Sequence, residues 1–182
     1  TPFIYDSLLK SKLSLPFVKA VYPTANKAGI IKTDTEIHGI VLKGVDKDYN
    51  WDYINDNIIF GDVPKYIEHE RSNEVVISKV IADKLLLNVG DDVRIWFVGE
   101  DMKTRGRKFS IKGIYETGLT ECDERFIYCD INQIRRLNGW EENNVGHLEI
   151  ALNDGFDTNE ANNFIYYSIP TNLISYTARD LY

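Results

Sequence analysis

The stretch that decides the fold runs 74-EVVIS-78, 79-KVIADKLLLNVGDD-92, 93-VRIWFV-98, 99-GEDMKTRGRK-108, 109-FSIKGIYETG-118. The β-branched run at residues 75–77 predicts a short buried strand. Ser78 follows it and can accept a hydrogen bond from a free amide of the next helical turn. Asn88 and Gly90 predict the end of that helix, because both tolerate left-handed backbone. Its buried face is expected to hold Val80, Ile81, Leu85 and Leu86.

Two further runs, residues 93–98 and 109–115, are rich in β-branched and aromatic residues and predict strands. The ten residues between them contain Gly99 and Gly106, so the two strands are expected to form a hairpin with a long, charged tip. The stretch as a whole therefore predicts strand, helix and hairpin in that order.

Two other segments extend the pattern, 38-HGIVLKGVD-46 upstream and 125-RFIYCDINQIRRL-137 downstream. Together with the helix ending L-x-V-G-D-D-V and the strand F-x-I-x-G-I-Y-x-T-G, they cover roughly residues 16–153. This ordered set resembles the extracytoplasmic (periplasmic) core domain of MacB-type ABC transporter permeases. That group includes the lipoprotein-releasing and FtsX-like permeases.

The resemblance implies an α+β fold in two parts. A porter-like α/β half is built from both chain ends, residues 1–45 together with residues 143–182. An inserted, mixed α/β subdomain of the Sabre-like type occupies residues 46–142.

The resemblance also implies a function that is not catalytic. The domain is expected to couple ATP-driven motion of the membrane part to the handling of a substrate or partner outside. ATP would be hydrolysed by a separate ABC ATPase subunit or domain. A second permease protomer would join through the membrane part, whose transmembrane helices would anchor the domain on the periplasmic side of the inner membrane. An extracytoplasmic protein partner is a further expectation.

Composition limits the alternatives. The chain has 182 residues, 43% hydrophobic and 27% charged, which is ordinary for a globular protein. Its net charge of −7 disfavours nucleic-acid binding, which needs clustered Lys and Arg. The other function left open is a small α/β hydrolase or ligand-binding domain, for which a deep pocket with converging acid, base or metal groups would be the mark.

No motif indicates a catalytic, cofactor or metal site. Residues 46–57 place acidic or amide side chains as a calcium loop does, but Trp51 stands where Gly is needed and Asn57 where Glu is needed. A turn and a short helix with Trp51 and Ile54 facing the core is the better interpretation. Glu68, His69 and Glu70 are adjacent in a polar loop and are expected to be solvated rather than to converge on a metal.

Several shorter predictions complete the chain. Strands are expected at residues 17–22, 30–31, 36–45, 58–61 and 145–152, and a last strand or an extended exit at residues 173–177. Helices are expected after Asp130 and at residues 158–168. Residues 62–73 are expected to be a loop and residues 118–125 a polar turn. Cys122 and Cys129 are expected to be unpaired, since extended chain would hold their sulfur atoms roughly 20 Å apart.

The hairpin tip at residues 99–107 offers the candidate binding residues. It holds Lys103, Arg105 and Arg107, with Lys108 next, in a protein of net charge −7. Such a positive spot can be ordinary solvated surface, or it can contact an acidic partner or a neighbouring subunit. In the family that this chain resembles, the hairpin varies in length and carries partner contacts, which adds support to the second interpretation and leaves both open. The tip is shorter than the hook of carrier-docking lipoprotein permeases and has no Pro, so docking of a soluble carrier is not expected.

Overall fold

The computed structural model describes residues 1–99 and 101–181, with the side chain of Leu181 excluded. Glu100, in the predicted hairpin tip, and Tyr182, at the end of the predicted porter-like half, lie outside the described residues. The strands are β1 (Phe3–Ile4), β2 (Val18–Lys32), β3 (Ile37–Val45), β4 (Ile58–Gly61), β5 (Glu74–Ser78), β6 (Asp92–Val98), β7 (Thr104–Tyr115), β8 (Phe126–Asp130), β9 (Asn144–Val145) and β10 (His147–Leu152). The helices are α1 (Ser7–Leu13), α2 (Asp52–Asp56), α3 (Lys79–Leu85), α4 (Thr120–Arg125), α5 (Ile131–Asn138), α6 (Thr158–Ser168) and α7 (Ala178–Leu181).

The chain divides into two compact units. The end unit comprises Thr1–Pro23 and Asn143–Tyr182, and the middle unit comprises Thr24–Glu142. The sequence places residues 24–45 with the chain ends, whereas the compact middle unit begins at Thr24. The physical reason is that residues 24–32 of β2 pair with β3 along their whole length, and β3 pairs with β8 of the middle segment.

Six strands of the middle unit close into a ring in the order β2-β3-β8-β5-β7-β6 and back to β2. The pairs β3–β8 and β5–β7 are parallel, and the other neighbours are antiparallel. The closing contact is short, Ile30 opposite Trp96 and Ile31 opposite Ile95. A closed sheet leaves no unpaired edge in its ring, so the unit is a small barrel with β4 added beside β7.

Two sets of apolar side chains fill the middle unit. Fully buried residues of the ring strands alternate along β6 and β7, among them Ile95, Phe97, Phe109 and Ile111. A second cluster is aromatic and collects around α2: its buried members are Val45, Ile54, Tyr66, Val76, Tyr115 and Tyr128. Trp51 packs against this cluster 5.7 Å from the ring of Tyr128. The predicted turn and short helix at residues 46–57, with Trp51 and Ile54 facing inward, are therefore confirmed.

The end unit has its own small core. Leu9 and Leu13 of α1 and Ile165 of α6 are buried together. Each helix begins at an Asp whose side chain accepts an amide hydrogen bond, Asp6 from Leu9 and Asp157 from Glu160. Strand β10 lies beside β2, and the short pair β1–β9 is antiparallel.

The deciding stretch folds largely as predicted. Ser78 caps α3 by accepting a hydrogen bond from Ile81 N at 3.1 Å, and β5, β6 and β7 follow the expected order. Gly90 has φ +91°, in the region that disfavours residues with a Cβ. The end of the helix was predicted too late, because Leu86 already adopts left-handed backbone at φ 55° and is 86% exposed. Val80 is also exposed, so the buried face consists of Ile81, Ala82 and Leu85.

Two local predictions are wrong. Pro23 does not end a strand: β2 continues through it, and the ladder with β3 begins at Thr24, where it needs no amide from Pro23. Residues 118–125 are not only a turn, because α4 forms from Thr120 to Arg125. Of the two alternatives for residues 173–177, the structure has the exit segment, since these residues lie in no strand and precede α7.

Both cysteines are free thiols, as predicted, with Cys129 buried and Cys122 partly exposed. Burial raises the pKa of the Cys129 thiol well above its ordinary value, so it stays protonated and is a poor nucleophile.

Candidate functional site

The predicted hairpin tip is mostly strand. β7 already begins at Thr104, which lies opposite Val98, so the turn is confined to residues 99–103. Arg105, Arg107 and Lys108 therefore belong to the ladder, opposite Phe97, Ile95 and Arg94. The glycine and the charged residues of this segment predicted a loop. Backbone pairing with the apolar strand β6 instead extends β7 through residues 104–108.

The strand register also separates the four basic residues. Arg105 and Arg107 share the face of the buried residues opposite them, whereas Lys108 lies on the other face, because successive side chains of a strand alternate. Arg107 is half-buried and its Nη1 donates to the carbonyl of Gly106 at 3.0 Å. Lys103 lies in the turn, where its backbone N donates to Asp101 Oδ1 at 3.1 Å. The four residues thus form two surfaces rather than one spot.

Ion pairs within the hairpin reduce its positive charge. Arg105 Nη2 lies 3.0 Å from Asp101 Oδ2, and Lys108 Nζ lies 3.7 Å from Asp92 Oδ2. All four side chains are well exposed, so these pairs add little stability and can exchange for other partners.

The outer face of the hairpin carries a cation–π cluster that the sequence analysis missed. Trp96 lies over Gly106, where a Cβ would come within 2.9 Å of the indole ring. The guanidinium of Arg94 and the ammonium of Lys32 each lie 5.7 Å from the ring centroid of Trp96. Arg94 is two residues from Trp96 on the same strand face, a signal visible in the sequence. Lys32 arrives only through the closing contact of the ring.

A second basic site lies elsewhere on the middle unit. A cleft of about 450 Å³ is bounded by α5, by the loop before β5 and by the segment after α5. We call it the arginine cleft; its lining residues are His69, Arg71, Asn132, Arg135, Arg136, Trp140 and Glu142. The sequence analysis treated residues 62–73 as a solvated loop and α5 only as a packing helix, and so did not bring these side chains together.

The chain builds this cleft from well-anchored elements. Asp130 caps α5 by accepting from Asn132 N at 3.0 Å, and its other oxygen accepts from Ser72 N at 2.9 Å. The side chain of Asn132 donates to the carbonyl of Glu70 at 2.7 Å, and that of Gln133 donates to the carbonyl of Ser72 at 2.7 Å. The loop that carries His69 and Arg71 is therefore tied to the first turn of α5.

Electrostatics in the arginine cleft are dominated by guanidinium groups. Burial lowers the pKa of Arg135, and the negative charges of Asp46, Glu142 and Asp130 oppose that shift. Glu142 is the acidic residue in the lining, and its Oε1 is hydrogen-bonded to His69 Nδ1. The hydrogen bond and the charge of Glu142 raise the pKa of His69 above its ordinary value.

Comparison with known proteins identifies the family. Residues 2–165 match the model of the family described as the MacB-like periplasmic core domain. This chain belongs to the MacB-like periplasmic core domain family. No curated protein sequence matches the chain.

Solved structures with the fold of this MacB-like domain are distant in sequence. The extracellular domain of the noncanonic ABC-type transporter YknZ from Gram-positive bacteria is 17% identical, with a TM-score of 0.61 over 90% of this chain and 78% of that one. The periplasmic region of MacB from Actinobacillus actinomycetemcomitans is 12% identical, with a TM-score of 0.59 over 92% and 73%. The predicted recognition and the α+β MacB-like fold are confirmed, and the hydrolase alternative is not favoured.

Within residues 1–99 and 101–181, no three His, Cys, Asp or Glu side chains converge as a metal site would require. No helix of the described part of the chain is long and apolar enough to cross a membrane. The family is that of a transporter permease domain.

Proposed function

We propose that this domain is the non-catalytic, extracytoplasmic part of an ABC transporter permease and couples ATP-driven motion of the membrane part to the handling of a substrate or partner outside. The observation that carries the proposal is the family match over residues 2–165. ATP hydrolysis takes place in a separate nucleotide-binding subunit or domain, and a second permease protomer joins through the membrane part. Transmembrane helices beyond this sequence hold the domain on the periplasmic side.

Within this proposal the two predicted parts have different tasks. The porter-like part, residues 1–45 with 143–182, receives motion from the membrane, and the Sabre-like part, residues 46–142, presents binding surfaces. Strands β2 and β3 of the porter-like part pair with strands of the Sabre-like part in one closed ring, and such a ring deforms little, so it is the proposed route by which motion passes from one part to the other.

The β6–β7 hairpin is the proposed contact for an acidic partner or a neighbouring subunit, through Lys103, Arg105, Arg107 and Lys108. Lys103, Arg105 and Lys108 are exposed, and the ion pairs of Arg105 and Lys108 are of the kind that exchanges readily. On a protein of net charge −7, a local positive surface speeds encounter with an acidic partner and fixes orientation more than it adds affinity.

The test of the coupling role uses the full-length transporter. Replacing the domain by a flexible linker is expected to abolish transport while the nucleotide-binding part still hydrolyses ATP. Transport at the wild-type rate without the domain would contradict the proposal.

The hairpin contact is tested by charge reversal. The triple variant Lys103→Glu, Arg105→Glu, Lys108→Glu leaves the half-buried Arg107 in place. It is expected to lower transport or partner association and to weaken its salt dependence. A matched control reverses three other exposed lysines, Lys19, Lys65 and Lys84, and changes the net charge equally. Equal effects of the two triple variants, at unchanged melting temperature, would assign the result to net charge and not to the hairpin.

A further inference from the structure

The arginine cleft collects positive charge on an acidic protein. Arg71, Arg135 and Arg136 all line it, in a chain whose net charge is −7. Each guanidinium presents several N–H donors in a planar fork that matches an oxyanion, and none can be neutralised at physiological pH. Like charges in one cleft repel each other, and the carboxylates of Asp46, Glu142 and Asp130 offset part of that repulsion at Arg135.

One carboxylate already occupies part of the cleft. Glu142 accepts a hydrogen bond from His69 and lies close enough to Arg135 for its charge to act on that guanidinium. Both Glu142 and His69 are exposed, with side-chain fractions of 62% and 67%. An internal carboxylate held by exposed groups can be displaced by an external one at small cost. The position of Glu142 therefore indicates that the arginine cleft can bind a carboxylate.

The walls of the cleft are held in place before any ligand arrives. Arg135 Nη1 donates to Asn132 Oδ1 at 3.0 Å, which fixes part of its guanidinium. Gly139 ends α5 in left-handed backbone, and Trp140 N then donates to the carbonyl of Arg135 at 2.8 Å. This helix end places a half-buried indole beside the guanidinium groups. Preorganised donors next to a flat apolar wall reduce the entropy lost on binding.

We propose that the arginine cleft is a binding site for a carboxylate-bearing ligand, with the carboxylate among Arg71, Arg135 and Arg136 and a flat apolar group against Trp140. The volume of about 450 Å³ lies in the range of small-molecule sites, roughly 300–1,000 Å³. The ligand displaces the side chain of Glu142 from the site.

The test titrates the full 182-residue chain with benzoate, acetate and inorganic phosphate. The readout is the indole N–H signal of Trp140 in proton–nitrogen NMR spectra, assigned with Trp140→Phe. Benzoate is expected to give a saturable shift at lower concentration than acetate, because acetate has no ring to place against Trp140. Phosphate binding tighter than benzoate would overturn the preference for a carboxylate, and the absence of any saturable shift would overturn the site.

Variants test which residues of the arginine cleft contribute to benzoate binding. Arg71→Gln and Arg136→Gln change exposed residues and are each expected to weaken benzoate binding by roughly tenfold, as the loss of a charged hydrogen bond does. Glu142→Gln is expected to tighten binding several-fold, because it removes the competing carboxylate. Arg94→Gln, which removes a guanidinium beside Trp96 instead, is the matched control and leaves the affinity unchanged. Weaker binding in Glu142→Gln, or an equal loss in Arg94→Gln, would refute the proposal.

Discussion

Asp123 gives the sharpest test of how the middle unit is held together. It is 3% exposed and its carboxylate accepts hydrogen bonds from Thr117 N at 3.1 and 3.2 Å, Thr117 Oγ1 at 2.6 Å and Gly118 N at 3.0 Å. Its backbone carbonyl also accepts from the Ser78 hydroxyl. Asp123, which lies in the short helix α4, thus fixes both the turn after β7 and the start of α3.

The cost of Asp123→Ala follows from these contacts. A hydrogen bond to a charged group contributes roughly 1.5–3 kcal/mol, but Gly118 is exposed and water can replace the carboxylate at its amide. Thr117 is half-buried, so water replaces the carboxylate less well as the acceptor for its amide and hydroxyl groups. We expect a loss of about 2–4 kcal/mol in the free energy of unfolding, with Asp123→Asn near half of that, because an amide presents one oxygen and adds a donor facing donors.

Urea unfolding followed by tryptophan fluorescence measures the loss. Glu124→Gln, the exposed neighbour in α4, is the control and should change the free energy of unfolding by under about 0.5 kcal/mol. Combining Asp123→Ala with Thr117→Val should cost less than the two changes separately, since they share one hydrogen bond. Additive effects, or an Asp123→Ala protein as stable as wild type, would refute the assignment of α4 to this contact.

Three further predictions follow from single residues. Leu85→Ala removes a buried side chain and should cost ~2–5 kcal/mol in urea unfolding, with exposed Lys84→Ala near zero. Gly90→Val forces a Cβ into backbone at φ +91° and should cost about 1 kcal/mol or more; an unchanged melting temperature would contradict the turn geometry. The pKa of His69 should lie above 6.5 by NMR titration and fall in Glu142→Gln. Since the folded value is the higher one, the stability from this pair is present below the unfolded pKa and is lost as pH rises through the folded pKa.

The sequence predicts elements whose signals are local. Strand β5, the cap at Ser78, the turn at Gly90 and the cap of α5 at Asp130 each depend on a few neighbouring residues, and all are present. Helix α4 was missed because its sequence, TECDER, has no apolar period; it forms where Asp123 meets Thr117 and Gly118. For residues 173–177 the sequence left a strand and an extended exit open, and without a partner strand the segment forms no strand.

The closure of the strand ring could not be predicted from the sequence, because it depends on contacts between distant segments. Pairing of Ile30 with Trp96 and Ile31 with Ile95 completes the ring, and nothing in either segment alone specifies its partner. The arginine cleft has the same origin, because it needs the loop at residues 62–73, helix α5 and the segment after it to meet. The basic hairpin could be identified from the sequence because its charged residues are close together in the chain. The cleft was missed because Arg71 is far in sequence from Arg135 and Arg136.

The strand register brings the two basic features to one end of the ring. Glu74 begins β5 opposite Ser110, and β7 runs parallel to β5, so the turn at residues 99–103 projects from the end where β5 begins. Antiparallel β8 finishes at this same end with Asp130, where α5 and the cleft start. Interactions between exposed charges fade beyond about 8–10 Å at physiological salt, so each feature must contact its own anionic group. Since both basic features lie at one end of the ring, the two proposed contacts would face the same side of the middle unit while binding separate anionic groups.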